Sequence, residues 1–248
     1  MKNNLYSISK SSFFILLFSM LFFCIDKFLS LMLILPFNFL NVQNFDPSNY
    51  LQITTLRVIE IGLLFALYKR DLLSMAGITD YIKILTDIGL GFLIAVTGLF
   101  TLFILLYLKL TPFFDTLITD QKTSIGLIQV FLFVISGGLI APLAEELFFR
   151  ACLLNLIPKK TSIKVALPNL ILIACIFVLP HINFNSTAAD ITFIEHIKSQ
   201  QFNIFIWMNC SIVTIFLTLW RRSIITGWIV HCMANITLYL IQNGLLQA

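Results

Sequence analysis

Apolar residues recur from end to end of the chain in stretches long enough to cross a lipid bilayer. A membrane-spanning helix needs roughly 20 mostly apolar residues. The pattern predicts an all-α, polytopic bundle of seven to eight transmembrane helices, seven of them at about 12–35, 51–68, 88–108, 125–157, 166–181, 203–220 and 223–241. The alternative eighth segment, shorter or re-entrant, falls in the polar region 182–202, which contains Asp190, Glu195, His196 and Lys198.

The first predicted span has two features of its own. It contains the neighbouring opposite charges Asp26-Lys27, which predict a helix break, an interfacial kink or a ligated polar pair. Basic residues precede the apolar residues 13–25, as in a secretory signal peptide, but no small-residue cleavage site follows Ile25. The span is therefore predicted to remain in the protein as a membrane anchor.

Basic residues in the loops predict the orientation of the bundle, because cytoplasmic loops carry an excess of lysine and arginine. With the N-terminus inside, the inner loops hold ten basic residues and the outer loops three. The chain is thus predicted to be a multi-pass protein of the cell membrane with a cytoplasmic N-terminus and an external C-terminus. The inner set is Lys2, Lys10, Lys69, Arg70, Lys83, Lys159, Lys160, Lys164, Arg221 and Arg222, and the outer set is Lys109, Lys122 and Lys198.

Composition agrees with a membrane protein and excludes a separate soluble domain. Of the 248 residues, 59% are hydrophobic and 11% are charged, whereas a soluble domain carries roughly a quarter charged residues. The net charge of +4 follows from the loop asymmetry, so no nucleic-acid partner is predicted. The five cysteines all lie in apolar stretches without motif spacing and are predicted to be small core residues.

Two adjacent glutamates, Glu145 and Glu146, interrupt the apolar sequence of the fourth predicted span. Ionisable side chains at bilayer depth are rare and indicate a functional site by default. Glu146 and Arg150 share one helical face at i, i+4, whereas Glu145 points about 100° away. Arg150 is therefore predicted to neutralise Glu146, which leaves Glu145 as a candidate base. Gly137-Gly138 and Pro142 precede the pair and predict an interruption of the helix, with Pro142 starting a new helical section.

Two later spans each carry one further polar cluster. Pro180 tends to end a helix, so His181 is predicted near a helix terminus. His231 and Asn235 share one face of the last span. Alone, these residues would be an interfacial histidine and a hydrogen bond between helices. Together with Glu145 they supply what peptide hydrolysis requires: a proton acceptor for attacking water and donors for the carbonyl oxyanion. His196 is predicted to be solvated.

The order of these clusters resembles the CAAX-processing and bacteriocin-immunity family of intramembrane endopeptidases over residues 137–240. The matching motifs are Glu-Glu-x-x-x-Arg, Phe-x-x-x-His and His-x-x-x-Asn, which stand here as Glu145, Glu146 and Arg150, then Phe177 and His181, then His231 and Asn235. The resemblance implies one integrated membrane domain, in which N-terminal helices at 1–124 precede a catalytic core at 125–248.

The resemblance also implies roles for these residues. Glu145 and His181 would activate water, and His231 and Asn235 would hold the oxyanion, with Glu146, Arg150 and Phe177 in support. The implied substrates are proteins or peptides embedded in or tethered to the membrane, in CAAX-type processing or bacteriocin self-immunity. No cofactor is required for this chemistry.

Three alternatives remain open from the sequence. Glu145, His181 and His231 make a plausible zinc ligand set, although no His-Glu-x-x-His motif occurs in the chain. A non-catalytic immunity or adaptor protein would bind a bacteriocin or receptor, yet such a binder has no need of Glu145. A proton or ion pathway also uses intramembrane carboxylates and histidines, but the sequence shows no inverted repeat of the transporter kind.

Overall fold

The computed structural model describes residues 2–37, 47–78, 80–107, 126–157, 163–182 and 200–242. The regular elements within these ranges are all helical, which confirms the predicted all-α bundle. We number eight helices in these ranges: α1 Lys2–Phe37, α2 Pro47–Tyr68, α3 Arg70–Met75, α4 Tyr81–Tyr107, α5 Leu127–Leu156, α6 Ile163–Val178, α7 Gln201–Arg221 and α8 Ile225–Gln242.

The apolar helices coincide with the seven predicted spans. Helices α1, α2, α4, α5 and α7 are long and apolar enough to cross a membrane, and shorter apolar helices cover Ala166–His181 and Ile225–Ile241. Helix α3 is a short helix of six residues between α2 and α4. Residues 183–199, where the alternative eighth segment and His196 fall, lie outside the described residues.

Helix α1 passes through Asp26-Lys27 without a break. The Asp26 carboxylate pairs with Arg57 of α2 at 3.0 Å, while Lys27 is exposed. Arg57 also pairs with Glu60, one turn further along α2, at 2.6 Å. Helix α1 is therefore not broken at this site, and of the predicted ligated polar pair Asp26 is engaged, by Arg57.

The helices pack around the C-terminal half of α5. Helix α8 lies between α4 and α7, α7 contacts α6, α6 contacts α1, and α1 and α2 return to α5. Each residue of the segment Leu147–Leu153 is buried. Aromatic rings of α5 and α6 form the centre of the core, since Phe148 contacts Phe149 and Phe149 contacts Phe177 edge to face. The segment that carries the glutamates is thus fixed on several sides.

Helix α5 changes its helical form several times along its length. A π-helical segment, Val134–Ile140, follows the first α-helical turns, and α-helix resumes at Ala141–Glu146 with Pro142 in its first turn. A second π-helical segment, Leu147–Leu153, carries Arg150. The predicted interruption before the glutamates is therefore present as π-helix, a form that is frequent at functional sites, and Pro142 starts the new section as expected.

The turn between α7 and α8 is anchored on the α3–α4 connection. The Ile224 amide donates to the Ala76 carbonyl at 3.0 Å, and Arg221 pairs with Asp87 of α4 at 2.7 Å. Gly77 has a φ of 70° and its Cα faces the Arg222 backbone, so any side chain at this position would collide. These contacts fix where α8 begins and hence the position of His231 and Asn235 relative to the other helices.

Candidate active site

Glu146 and Arg150 form the ion pair that their helical spacing predicted. Arg150 Nε lies 3.3 Å from Glu146 Oε2, and both side chains are fully buried. The guanidinium also donates to the Thr214 hydroxyl at 3.0 Å and to the Ser211 hydroxyl at 3.1 Å, both on α7. It lies 4.5 Å from the centre of the Phe177 ring, a cation–π contact. A buried charge in the bundle is thus paired and hydrogen-bonded, as its location requires.

Glu145 faces the two histidines of the other motifs. Its Oε2 atom lies 3.8 Å from His181 Nε2 and 3.6 Å from His231 Nε2. The side chains of Glu145 and His181 keep exposures of 15% and 17%, whereas His231 is fully buried. Residues from α5, the end of α6 and α8 therefore meet at one point, and Glu145 and His181 form its accessible side.

Hydrogen bonds on the far side of each imidazole fix the direction in which the rings face. His181 lies in the 3₁₀ turn Leu179–His181 that ends α6, and its Nδ1 donates to the Phe177 carbonyl at 2.9 Å. His231 Nδ1 donates to Glu146 Oε1 at 3.1 Å. With Nδ1 protonated in both rings, each Nε2 faces Glu145. Glu146 consequently has two partners, Arg150 and His231. Through His231 the buried ion pair is connected to Glu145.

Asn235 completes the hydrogen bonding of the irregular helix. In the π-helical segment the Ala141 amide bonds to the Ser136 carbonyl five residues earlier, so the next carbonyl, that of Gly137, would pair with residue 142. Pro142 has no amide hydrogen, and the side-chain amide of Asn235 donates to Gly137 O instead, at 2.8 Å. A carboxamide nitrogen carries two hydrogens, so the second remains for another acceptor.

Two groups of residues were not connected with this site from the sequence. Helix α7 supplies Trp207, Ser211 and Thr214 at i, i+4 and i+7, which places them on one helical face. Helices α1 and α2 supply the charged cluster Asp26, Arg57 and Glu60, and α2 packs against α5. Charged residues inside an apolar span were the available signal for this second group.

The donor atoms at the meeting point fit a metal ion. One ligand atom each from Glu145, His181 and His231 lies within 4.8 Å of the others. Among the described residues, Glu145 Oε2 and His231 Nε2 are buried without a hydrogen-bond partner. Two histidines and a glutamate form a common catalytic zinc set, and metal-bound histidines typically donate their other nitrogen to a carboxylate or a carbonyl. Both histidines do so here.

Comparison with known proteins identifies the motif-bearing helices. Residues 127–237 match the family model of the type II CAAX prenyl endopeptidase Rce1-like proteins. This part of the chain is similar to the Rce1-like family. The Rce1-like region contains all the motif residues, from Glu145 to Asn235, together with Trp207 and the rest of α7. Neither a curated protein nor a solved structure matches the chain.

The family match and the apolar helices together indicate the general nature of the protein. It is a multi-pass membrane protein with a CAAX-type intramembrane endopeptidase region. Membrane-associated substrates follow from the class of protease. Helices α1 to α4, including the Arg57 cluster, precede the Rce1-like region.

Proposed function

We propose that the protein hydrolyses peptide bonds of membrane-embedded or membrane-tethered substrates with water activated by Glu145 and His181. The observation that carries the proposal is the convergence of the Glu145 carboxylate and the His181 Nε2 atom at 3.8 Å. These two groups form the accessible side of an otherwise buried cluster. A water held between them has two acceptors available for its protons, and neither acceptor is engaged by the Arg150 ion pair.

In the proposed reaction, the water oxygen attacks the scissile carbonyl carbon while one water proton passes to Glu145. The carbonyl π electrons move onto oxygen and give a tetrahedral oxyanion. Collapse of this intermediate breaks the carbon–nitrogen bond, and the proton on Glu145 passes to the leaving amine. The carboxylate is regenerated, and no covalent enzyme intermediate is formed. His181 orients the water through its Nε2 lone pair, as general base catalysis requires.

The proposed oxyanion donors are His231 Nε2–H and the second amide hydrogen of Asn235. His231 already donates from Nδ1 to Glu146, so donation from Nε2 requires the imidazolium form. Carboxylates face both nitrogens of the ring, since Glu146 Oε1 lies 3.1 Å from Nδ1 and Glu145 Oε2 lies 3.6 Å from Nε2.

A zinc-dependent form of the same hydrolysis is the second candidate, and the converging ligand atoms of Glu145, His181 and His231 favour it. Zinc would supply Lewis-acid polarisation of the carbonyl and acidify water. In that case His231 stays neutral, since Nε2 must present a lone pair to the metal. The protonation state of His231 therefore separates the two mechanisms.

Metal removal tests this choice directly. Because a glutamate–histidine pair needs no Lewis acid, we expect activity to survive exhaustive chelation. Elemental analysis of the purified protein should then find zinc well below one equivalent. Loss of activity with a chelator, followed by recovery with added zinc, would instead assign Glu145, His181 and His231 as ligands.

The proposed function itself is tested with purified protein in detergent. The substrates are a library of quenched fluorescent peptides, some with a transmembrane anchor and some with a farnesylated CAAX end. Mass spectrometry locates the cleaved bond, and a matched preparation carrying Glu145→Gln shows any contaminating protease. Binding of peptides without cleavage would favour the non-catalytic immunity or adaptor protein. Preferred cleavage of the farnesylated peptides would assign CAAX-type processing rather than bacteriocin self-immunity.

We further propose the cell membrane as the location, with the N-terminus cytoplasmic and the C-terminus outside, because most loop lysines and arginines then face the cytoplasm. Reporter fusions after Lys160 and after Ala248 should report opposite sides of the membrane. The unbroken helix α1 counts as one span. A shared side would therefore place an additional crossing in region 182–202.

A further inference from the structure

Trp207 of α7 lies against the His181 ring, in a position that none of the three motifs includes. The two ring centres are 4.2 Å apart with an interplanar angle of 33°. The Phe177 ring centre lies 4.9 Å from that of His181 at 34° and 6.5 Å from that of Trp207. Trp207 also approaches His231, at 5.8 Å and 64°. Both imidazoles of the site therefore contact the same indole.

His181 depends on such contacts more than the other site residues do. Glu145 and His231 lie within helices α5 and α8. In contrast, His181 is the last residue of the short 3₁₀ turn Leu179–His181 and directly follows Pro180. Its single side-chain hydrogen bond within the described residues, from Nδ1 to the Phe177 carbonyl, fixes one atom of the ring. Rotation of the ring about that bond is limited by the Phe177 and Trp207 rings, whose centres lie 4.9 Å and 4.2 Å from that of His181.

We propose that Trp207 is a positioning residue, which holds the His181 imidazole so that Nε2 faces Glu145. This inference rests on the proposed function, because it assigns Trp207 a part in water activation. The indole acts through its rigid ring, since aromatic pairs have geometric preferences beyond the area that they bury. A flexible apolar side chain of similar bulk would fill the space without fixing the ring.

The position of Trp207 on α7 supports this role. Ser211 and Thr214 follow it at i+4 and i+7 and hold the Arg150 guanidinium. One face of α7 thus positions both the structural ion pair and the water-activating histidine. Trp220, on the same helix, is 58% exposed and contacts Phe216 and Arg221. Trp220 is therefore a matched control on the same helix, because its ring contacts within the described residues lie outside the site.

The test compares kcat and KM for the library peptide that the wild-type protein cleaves fastest, with thermal stability measured in parallel. We expect Trp207→Leu and Trp207→Met to lower kcat by about 10- to 100-fold, since a small misplacement of a reacting group has effects of this size. KM should change by less than about threefold, because ground-state binding is not involved. Trp207→Phe should retain most of kcat, and Trp220→Leu should match the wild type.

Other outcomes overturn the assignment. Unchanged kcat in the Leu and Met variants excludes a positioning role, and a rise in KM alone makes Trp207 a substrate contact. Loss of folding in both non-aromatic variants makes it a packing residue. An active wild type is the premise of the comparison, so absence of any wild-type turnover would overturn the proposed function and this inference with it.

Discussion

Replacing Glu145 with glutamine should abolish turnover and leave the protein folded, whereas Glu146→Gln and Arg150→Ala should lower stability and expression. Glu145 is partly exposed and the two histidines lie 3.8 Å and 3.6 Å from its carboxylate, so its loss removes the proton acceptor without breaking the buried Glu146–Arg150 ion pair. Glu146 and Arg150 are fully buried partners. Removing one partner leaves the other charge uncompensated, at about 3–5 kcal/mol.

Activity and stability are measured together to separate these roles. Thermal unfolding and detergent gel filtration report folding, and turnover of a cleaved library peptide reports the chemistry. The hydrogen bond from His231 to Glu146 adds a further expectation, because Glu146→Gln should also impair turnover in the fraction that folds. Equal stability and equal activity of all three variants would contradict the division between the two glutamates.

Helical periodicity was sufficient for the contacts within one helix. It placed Glu146 and Arg150 on a common face and separated Glu145 from them, because four residues advance only slightly more than one helical turn. Pro180 similarly predicted that His181 lies at a helix end, and the 3₁₀ turn there confirms this. These contacts depend on sequence positions only a few residues apart, so local geometry determines them.

Contacts between helices were not predictable in the same way. The hydrogen bond between His231 and Glu146 joins residues 85 positions apart. Periodicity shows which residues share a helical face, but it does not show which other helix that face packs against. The pairing of Asp26 with Arg57 was missed for the same reason, although both charges stand in apolar spans. The hydrogen bond from Asn235 of α8 to the Gly137 carbonyl of α5 was not predictable either. It takes the place of a backbone bond that Pro142 cannot make, because proline has no amide hydrogen.

Substitution of His231 or Asn235 should lower kcat by on the order of 10²–10³, the usual effect of losing one oxyanion donor. Both donors act on charge that develops in the transition state, so KM should change little. Asn235→Ala also leaves the Gly137 carbonyl without its donor, which costs about 1–3 kcal/mol of stability. Rates are therefore compared at a temperature at which the variants remain folded. Thr237→Val is the control, because it replaces another buried polar side chain of α8 with an apolar one.

Asn235→Asp is expected to be more damaging than Asn235→Ala. An ionised carboxylate would be directed at the Gly137 carbonyl, where the native amide donates at 2.8 Å, and it would also repel the oxyanion that the amide is proposed to stabilise. A protonated aspartate keeps one donor, so recovery of activity at lower pH would support this explanation. Full kcat with a raised KM in both Asn235 variants would contradict the oxyanion role. Asn235 would then position substrate and the π-helical turn, and backbone amides near Gly137-Gly138 would be the remaining candidates for the oxyanion.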